Sequence, residues 1–294
     1  MELMGDANRL TREYFDSILL ETRYIDSDLP DTGVEIFGRH YKTPIMTAAL
    51  SHLHKICPNA MAEYAAGAKE AGALCFVGMG EDADLEAMTE TGADVVKIIK
   101  PHKDNAEVFR KIEHAKQHGA IAVGMDIDHA YTGDGHYDNV FGLPMKPKSF
   151  EEMKAFAKAS ELPFVVKGVL SVSDACKSVE LGAAAIIVSH HHGIMPYSVP
   201  PLMVLPEIVA AVNRKIKVLV DCGIESGADV FKALALGADG VCVGRKLMDP
   251  LKNQRKGVAE EIERLTGELA SIMARTGSKT TKTIDPSVLH IRKW

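Results

Sequence analysis

Three consecutive histidines, His190, His191 and His192, follow the apolar run AAAIIV and Ser189, and Gly193 closes the cluster. Imidazole binds metals and accepts protons near neutral pH, so the cluster admits a metal site or a general base among crowded neighbours. Two more polar sets stand at Ser51-His52-Leu53-His54 and Asp126-Ile127-Asp128-His129. Lys97, Lys100 and His102 lie close together, and Lys167 is embedded in FVVKGV. An ammonium amid such apolar residues is costly unless an anion is near. Asp221-Cys222-Gly223 and Val243-Gly244-Arg245 add glycines through which backbone N–H groups can approach an anion. Arg245 contributes charge and a fork of donors there.

These residues need a frame that brings them to one side. Five segments share a layout: EAGALCFVGMG, ETGADVVKIIK, QHGAIAVGMDI, ELGAAAIIVSH and ALGADGVCVGR. Each has a polar helical end, a glycine, a short apolar run, then polar or glycine residues. Gly72, Gly92, Gly119, Gly182 and Gly237 fall where a helix ends and a left-handed residue is wanted. The apolar runs do not alternate, which fits strands buried on both faces. TPIMTAAL, PFVVKGV and KVLVDCG bring the strand count to eight, with amphipathic helical stretches between. Eight such units predict an α/β fold, a closed (β/α)8 TIM barrel over 43–275; a doubly wound open sheet is the alternative. Residues 1–42 are read as an N-terminal helical extension and 276–294 as a C-terminal tail, within one domain. The terminal SVLHIRKW is left as either cover for a neighbour or a mobile end. Barrel sites form at strand C-termini, where every polar set above is placed.

The 294-residue chain has 46% hydrophobic and 25% charged residues, enough for a large core. Its net charge of −6 and the lack of a basic block argue against nucleic acid as a partner. No apolar run reaches the ~18 residues of a membrane span, and the N-terminus has no signal-peptide core. Five cysteines without a CxxC pair read as small buried hydrophobes in a reducing compartment. A cytoplasmic protein is expected.

From about residue 163 to 248 the chain closely resembles the FMN-dependent α-hydroxy-acid dehydrogenase family, which includes glycolate and lactate oxidases. FVVKGVLSVSDACKSVELGAAAIIVSHHHG, VLVDCGIESGADVFKALALGADGVCVGRKLM and the intervening LPEI carry the resemblance. VEIFGRHYKTPIMTAA and ELASIMARTGSKTTKTI extend it to both ends. The resemblance implies an enzyme, an FMN-dependent oxidoreductase acting on CH–OH groups of a small-molecule substrate, and a homo-oligomer, possible as a tetramer. It implies that Lys167 faces the flavin and stabilises its reduced form. Ala48, Ala49, Gly78, Ser189, Asp221, Gly223, Gly244 and Arg245 would bind the cofactor. His191 matches the histidine that takes the substrate hydroxyl proton as hydride leaves for the flavin.

The family pattern after the sixth strand is Ser-Asn-His-Gly-Gly-Arg-Gln, against Ser189-His190-His191-His192-Gly193-Ile194-Met195 here. The arginine that holds a substrate carboxylate is thus Ile194, which offers no donor. Lys97 is read as replacing a catalytic-site glutamine on the third strand. The loop after the fourth strand, only about 21 residues long, lacks its arginine. Lys100, His129, His190 and Ile194 are therefore expected to shape an altered substrate pocket, for a substrate other than a standard 2-hydroxy acid. Glu225 replaces an arginine beside the phosphate turn, which is unfavourable unless it turns away or pairs with Arg245 or Lys246. No metal ligand set is assigned. Two enzyme alternatives remain: a metal-dependent barrel using His52, His54, Asp126, Asp128, His129, His190 and His192, and a non-redox FMN or phosphate-ligand isomerase. A binding protein that has lost turnover is a further reading.

Overall fold

The computed structural model describes residues 5–292. Helix α1 (Ala7–Ser17) opens the chain, capped by the Asp6 carboxylate, which accepts from the Asn8 N–H. Strand β1 (Ile18–Leu20) and a hairpin of β2 (Val34–Ile36) and β3 (Arg39–Tyr41) follow. Eight parallel strands then alternate with helices: β4 (Ile45–Thr47), α2 (Ala60–Glu70), β5 (Cys75–Val77), α3 (Asp82–Glu90), β6 (Val95–Ile99), α4 (Asn105–Gln117) and β7 (Ala122–Asp126). A short hairpin of β8 (Asn139–Val140) and β9 (Leu143–Pro144) interrupts before α5 (Phe150–Ser160). The series resumes with β10 (Phe164–Val169), α6 (Val172–Glu180), β11 (Ala185–Val188), α7 (Pro201–Val212), β12 (Lys217–Val220), α8 (Gly227–Ala235) and β13 (Gly240–Val243). Helix α9 (Gln254–Arg275) and strand β14 (Leu289–Ile291) complete the chain.

The barrel expected from the repeated units is present. Its strands are ordered β4-β13-β12-β11-β10-β7-β6-β5. The β4–β5 seam is closed by the parallel bridge of Leu50 with Val77 and by Gly78 N–H donating to the Leu50 carbonyl at 2.9 Å. All five glycines read as helix ends have positive φ, from 69° at Gly72 to 103° at Gly237.

Side-chain parity divides the strands in two. Met46, Phe76, Val96, Ile98, Ala122, Val165, Ala185, Ile187, Leu219 and Cys242 pack in one buried cluster inside the barrel. The alternate residues pack outward against the helices. Val34, Ile36 and Tyr41 of the β2–β3 hairpin join the inner cluster, so the hairpin plugs the N-terminal end. The N-terminal extension is thus helix plus hairpin plus strand. The C-terminal tail also differs from a free end: β14 pairs antiparallel with β1, in the register Ile18–Ile291 and Leu20–Leu289. Residues 293–294 lie outside the described residues.

Candidate active site

Continuing the inner parity to the strand C-termini gives one top layer: Ala48, Gly78, Lys100, Asp126, Lys167, Ser189, Asp221 and Gly244. Asp126 is its electrostatic centre. Its carboxylate accepts from Lys100 Nζ at 2.6 Å and from Lys167 Nζ at 3.1 Å. Adjacent strands make this inevitable, because β7 and β10 pair with Asp126 opposite Lys167. Burial favours the neutral acid, but Lys167, Lys100 and His191 together hold the Asp126 carboxyl well below its usual range. Burial opposes the charge on Lys167, yet Asp126, Asp128 and Asp221 keep its ammonium firmly protonated. On Lys100 burial wins, and its affinity for the proton falls.

His191 stands over this layer on a strained turn. His191, His192 and Gly193 have φ of 48°, 57° and 77°, a left-handed run unusual for the two histidines. His190 holds the turn, as the Gly193 N–H donates to its carbonyl at 3.0 Å and to its ring Nδ1 at 2.9 Å. Because Nδ1 accepts, the proton of His190 resides on Nε2, which donates to Thr11 Oγ1 on α1 at 2.8 Å. Burial lowers the pKa of His190, in keeping with this neutral form. Asn8 adds a second tie from α1, donating to the His192 carbonyl at 3.1 Å.

The turn aims the His191 ring inward. Its Nδ1 lies 2.9 Å from Asp128 Oδ1 and 3.3 Å from Asp126 Oδ1, and its Nε2 lies 3.5 Å from Lys100 Nζ. Burial alone would lower the His191 pKa, but the Asp126 charge and the hydrogen bonds to Asp126 and Asp128 raise it above 6.5. An Nδ1 facing two carboxylates carries the proton. The neutral ring therefore presents the Nε2 lone pair, the arrangement of a general base. Asp128 is fitted by a break in β10, where the register shifts between Lys167 and Val169. Gly168 there has φ 91°, and a Cβ on it would lie 2.5 Å from Asp128 Cγ. Asp128 Oδ2 is buried without a hydrogen-bond partner.

Beside His191 opens a cavity of about 580 Å3, within the usual ~300–1,000 Å3 of small-molecule sites. Ala48, Ala49, Lys167, Asp221, Gly223, Gly244 and Arg245 line it, with His191 and His192 at one edge. Gly244 faces Ala48 closely enough that a Cβ would sit 3.2 Å from the alanine Cβ. Glu225 also lines the cavity, and no pair with Arg245 or Lys246 forms among the described residues. Cys222 lies in the wall, its thiol pushed up to about 11, mainly by burial.

Several sequence-based expectations need correction. Lys97 is not at this site. It has the outward parity of β6, its Nζ donates to the Gly78 carbonyl at 2.6 Å, and burial brings its pKa down to about 8. Lys100, three residues on, occupies the inner position. His190 points toward α1 rather than a substrate. Ile194 lies on the outer rim, 37% exposed and away from the cavity. His129 reaches the site only edge-on, its ring 4.9 Å from that of His191. Ser189 lies beneath the turn, accepting the His191 N–H at 3.1 Å. Gly78 lies at the β4–β5 seam, and a Cβ there would meet the Ala49 carbonyl at 2.4 Å. The supposed metal set does not assemble as a whole. Of that set Asp126 and Asp128 come together, with His191, which was not part of it, as the third ligand-type group, and two lysines already claim Asp126. His52 instead packs its ring against Phe141, and His54 sits 3.0 Å from Asp84. Thr11 was invisible to motif reading, since 179 residues separate it from His190.

A barrel with a basic, glycine-lined cavity and a carboxylate-held histidine at its strand ends defines a class: enzymes that hold an anionic cofactor beside a proton acceptor. Comparison with known proteins sharpens this. The pattern of the FMN-dependent dehydrogenases matches residues 4–154 and 146–291. Glycolate oxidase 3 of Arabidopsis thaliana is 30% identical, over 96% of this chain and 86% of that protein. The 4-hydroxymandelate oxidase of Amycolatopsis orientalis is 30% identical, over 86% and 81%. An L-lactate oxidase of a Nostoc species is 40% identical over a shorter stretch, 57% of this chain and 47% of that one. A solved mandelate oxidase variant with a monooxide FMN adduct superposes with a TM-score of 0.89 at 29% identity, covering 99% of this chain and 92% of that one. The chain belongs to the FMN-dependent dehydrogenase family, and it is an FMN-dependent oxidoreductase.

The residues present fit that cofactor. The cavity has the size for a small ligand, glycines where bulk would intrude, Arg245 with no ion-pair partner among the described residues, and the buried ammonium of Lys167 in its wall.

Proposed function

We propose that the protein oxidises a hydroxylated small molecule, with His191 as the base. The observation that carries this reading is the His191 ring, pinned at Nδ1 by Asp128 and Asp126, which leaves Nε2 as the acceptor, 3.5 Å from Lys100 Nζ. The substrate hydroxyl proton passes to Nε2 as the carbinol carbon becomes a carbonyl. FMN, when bound, supplies the acceptor for the two electrons and the hydrogen that leave that carbon. Lys167 contributes the cation in the cofactor cavity. Gly223, Gly244 and Arg245 form the anion-binding turns, Ala48 and Ala49 the opposite wall, and Asp221 a hydrogen-bond acceptor.

Substrate choice departs from that of a simple 2-hydroxy acid. Ile194 supplies no donor, and the buried cation nearest Nε2 is Lys100. A polar group on the substrate is therefore met by Lys100, with His129 beside it. Anaerobic mixing of the FMN-loaded protein with a panel of hydroxy acids and neutral alcohols tests the assignment. Bleaching of the flavin band by a member of the panel, lost in His191→Ala, supports it. Equal bleaching in the variant overturns it.

The working unit is read as the whole chain acting as a homo-oligomer in the cytoplasm, with no nucleic-acid or membrane partner. Five free cysteines support a reducing compartment. No described helix is long and apolar enough to cross a membrane.

A further inference from the structure

On the outer wall of the barrel, far in sequence from the turn at 189–193, two histidines and a glutamate converge. His114 lies in the last turn of α4 and His118, four residues on, is the residue that ends that helix. Their rings stack, with centroids 4.3 Å apart and planes inclined by 25°. Glu86 reaches across from α3. Its Oε1 lies 2.9 Å from His114 Nε2 and 3.7 Å from His118 Nε2. Both imidazoles thus offer the same nitrogen to one carboxylate oxygen. The oxygen hydrogen-bonds His114 alone, since 3.7 Å is too long for His118.

The arrangement has the spacing of a metal site as well as that of a single hydrogen bond. Adjacent ligands of a tetrahedral zinc, bonded at ~2.0–2.1 Å, stand about 3.4 Å apart. The two observed separations fall on either side of that value, and the three ligand atoms lie within 4.8 Å of one another. On the far side of the His114 ring, Asp82 Oδ1 is 4.0 Å from Nδ1, too long for a hydrogen bond, and Asp82 is already paired with Arg110 and Lys111. Two imidazoles among three ligands select zinc, nickel or copper over magnesium and calcium, which require oxygen. None of the three residues lines the cofactor cavity.

We propose that Glu86, His114 and His118 form a binding site for a divalent transition metal of the zinc class. The metal ties α3 to α4, with water completing its coordination. The site is separate from the redox chemistry.

The test is titration of chelator-treated, FMN-loaded protein with Zn2+ alone, followed by calorimetry and by thermal unfolding. The expected result is one zinc per chain with micromolar affinity, and a melting temperature that rises with free zinc. His118 and Glu86 are substantially exposed, so His118→Ala and Glu86→Gln are expected to fold as the parent does. Each should weaken binding by about tenfold or more and reduce the thermal shift. X-ray absorption of the zinc-loaded parent should show two imidazoles in the first coordination sphere. Absence of stoichiometric binding would overturn the proposal. So would undiminished binding in His118→Ala, which would place the metal elsewhere, such as at Asp126, Asp128 and His191.

Discussion

Asp128 Oδ1 lies 2.9 Å from His191 Nδ1, and Asp126 Oδ1 faces the same nitrogen from 3.3 Å. One imidazole nitrogen therefore serves two carboxylates. The two are not equivalent. Asp126 is neutralised by Lys100 and Lys167, whereas burial and the Asp126 charge raise the pKa of Asp128. Each favours the protonated ring, and the base is strengthened at the cost of being occupied at lower pH.

Flavin reduction should therefore rise with pH through the His191 titration, which lies above 6.5. Replacing Asp128 with Asn removes a carboxylate that favours imidazolium. The sign follows directly: the His191 pKa falls and the acid limb moves to lower pH. Single-turnover reduction across pH, with NMR titration of the ring in parallel, checks both.

Gly168→Ala should reproduce part of that effect from a different strand. Its φ of 91° strains any L side chain, and the new Cβ would meet Asp128 Cγ at 2.5 Å. A loss of about 1–3 kcal/mol in stability is expected. It should come with a His191 pKa shifted in the same direction as in Asp128→Asn. Denaturant unfolding and ring titration read the two consequences separately.

His191→Ala should leave FMN bound while slowing its reduction by about 10²–10⁴-fold, the usual contribution of a positioned base. Parallel measurement of flavin content and stopped-flow bleaching separates the roles. Loss of the flavin along with the activity would count against them.

Lys167→Met removes one of the two cations that hold buried Asp126. Lys100 remains, so the stability loss should lie near the lower end for a broken buried pair, about 3 kcal/mol. The FMN affinity should fall as well, measured by fluorescence quenching during reconstitution.

Thr11→Ala tests the link between α1 and the reacting turn. It leaves His190 Nε2–H without its acceptor, a loss of about 1–3 kcal/mol for a buried donor. The turn at 191–193 should loosen, and reduction should slow without loss of FMN. Exchange protection of the Gly193 amide reports the loosening.

Much of this was legible in the sequence, and the exceptions have physical causes. Helix-ending glycines and strands buried on both faces leave plain marks, so the barrel and its strand-end polar rim could be read. Lys167 stood out because an ammonium among apolar residues needs an anion. Lys97 was misplaced for the same reason that the strand was found: VVKII is buried on both faces, so it carries no alternation to tell inside from outside. The choice between Lys97 and Lys100 lay in parity, which only strand pairing fixes. His190 was misread because its partner, Thr11, belongs to another part of the chain. Asp128 was visible as a polar residue, but its place beside His191 depends on the irregularity at Gly168.

The antiparallel pairing of β1 with β14 also has a temporal side. Synthesis delivers α1 and Thr11 before the eight barrel strands, and Leu289–Ile291 after them. The N-terminal extension that braces His190 gains this clasp only once the rest of the barrel has left the ribosome. A nascent chain thus possesses every residue of the reacting cluster before it possesses the strand that fastens their brace.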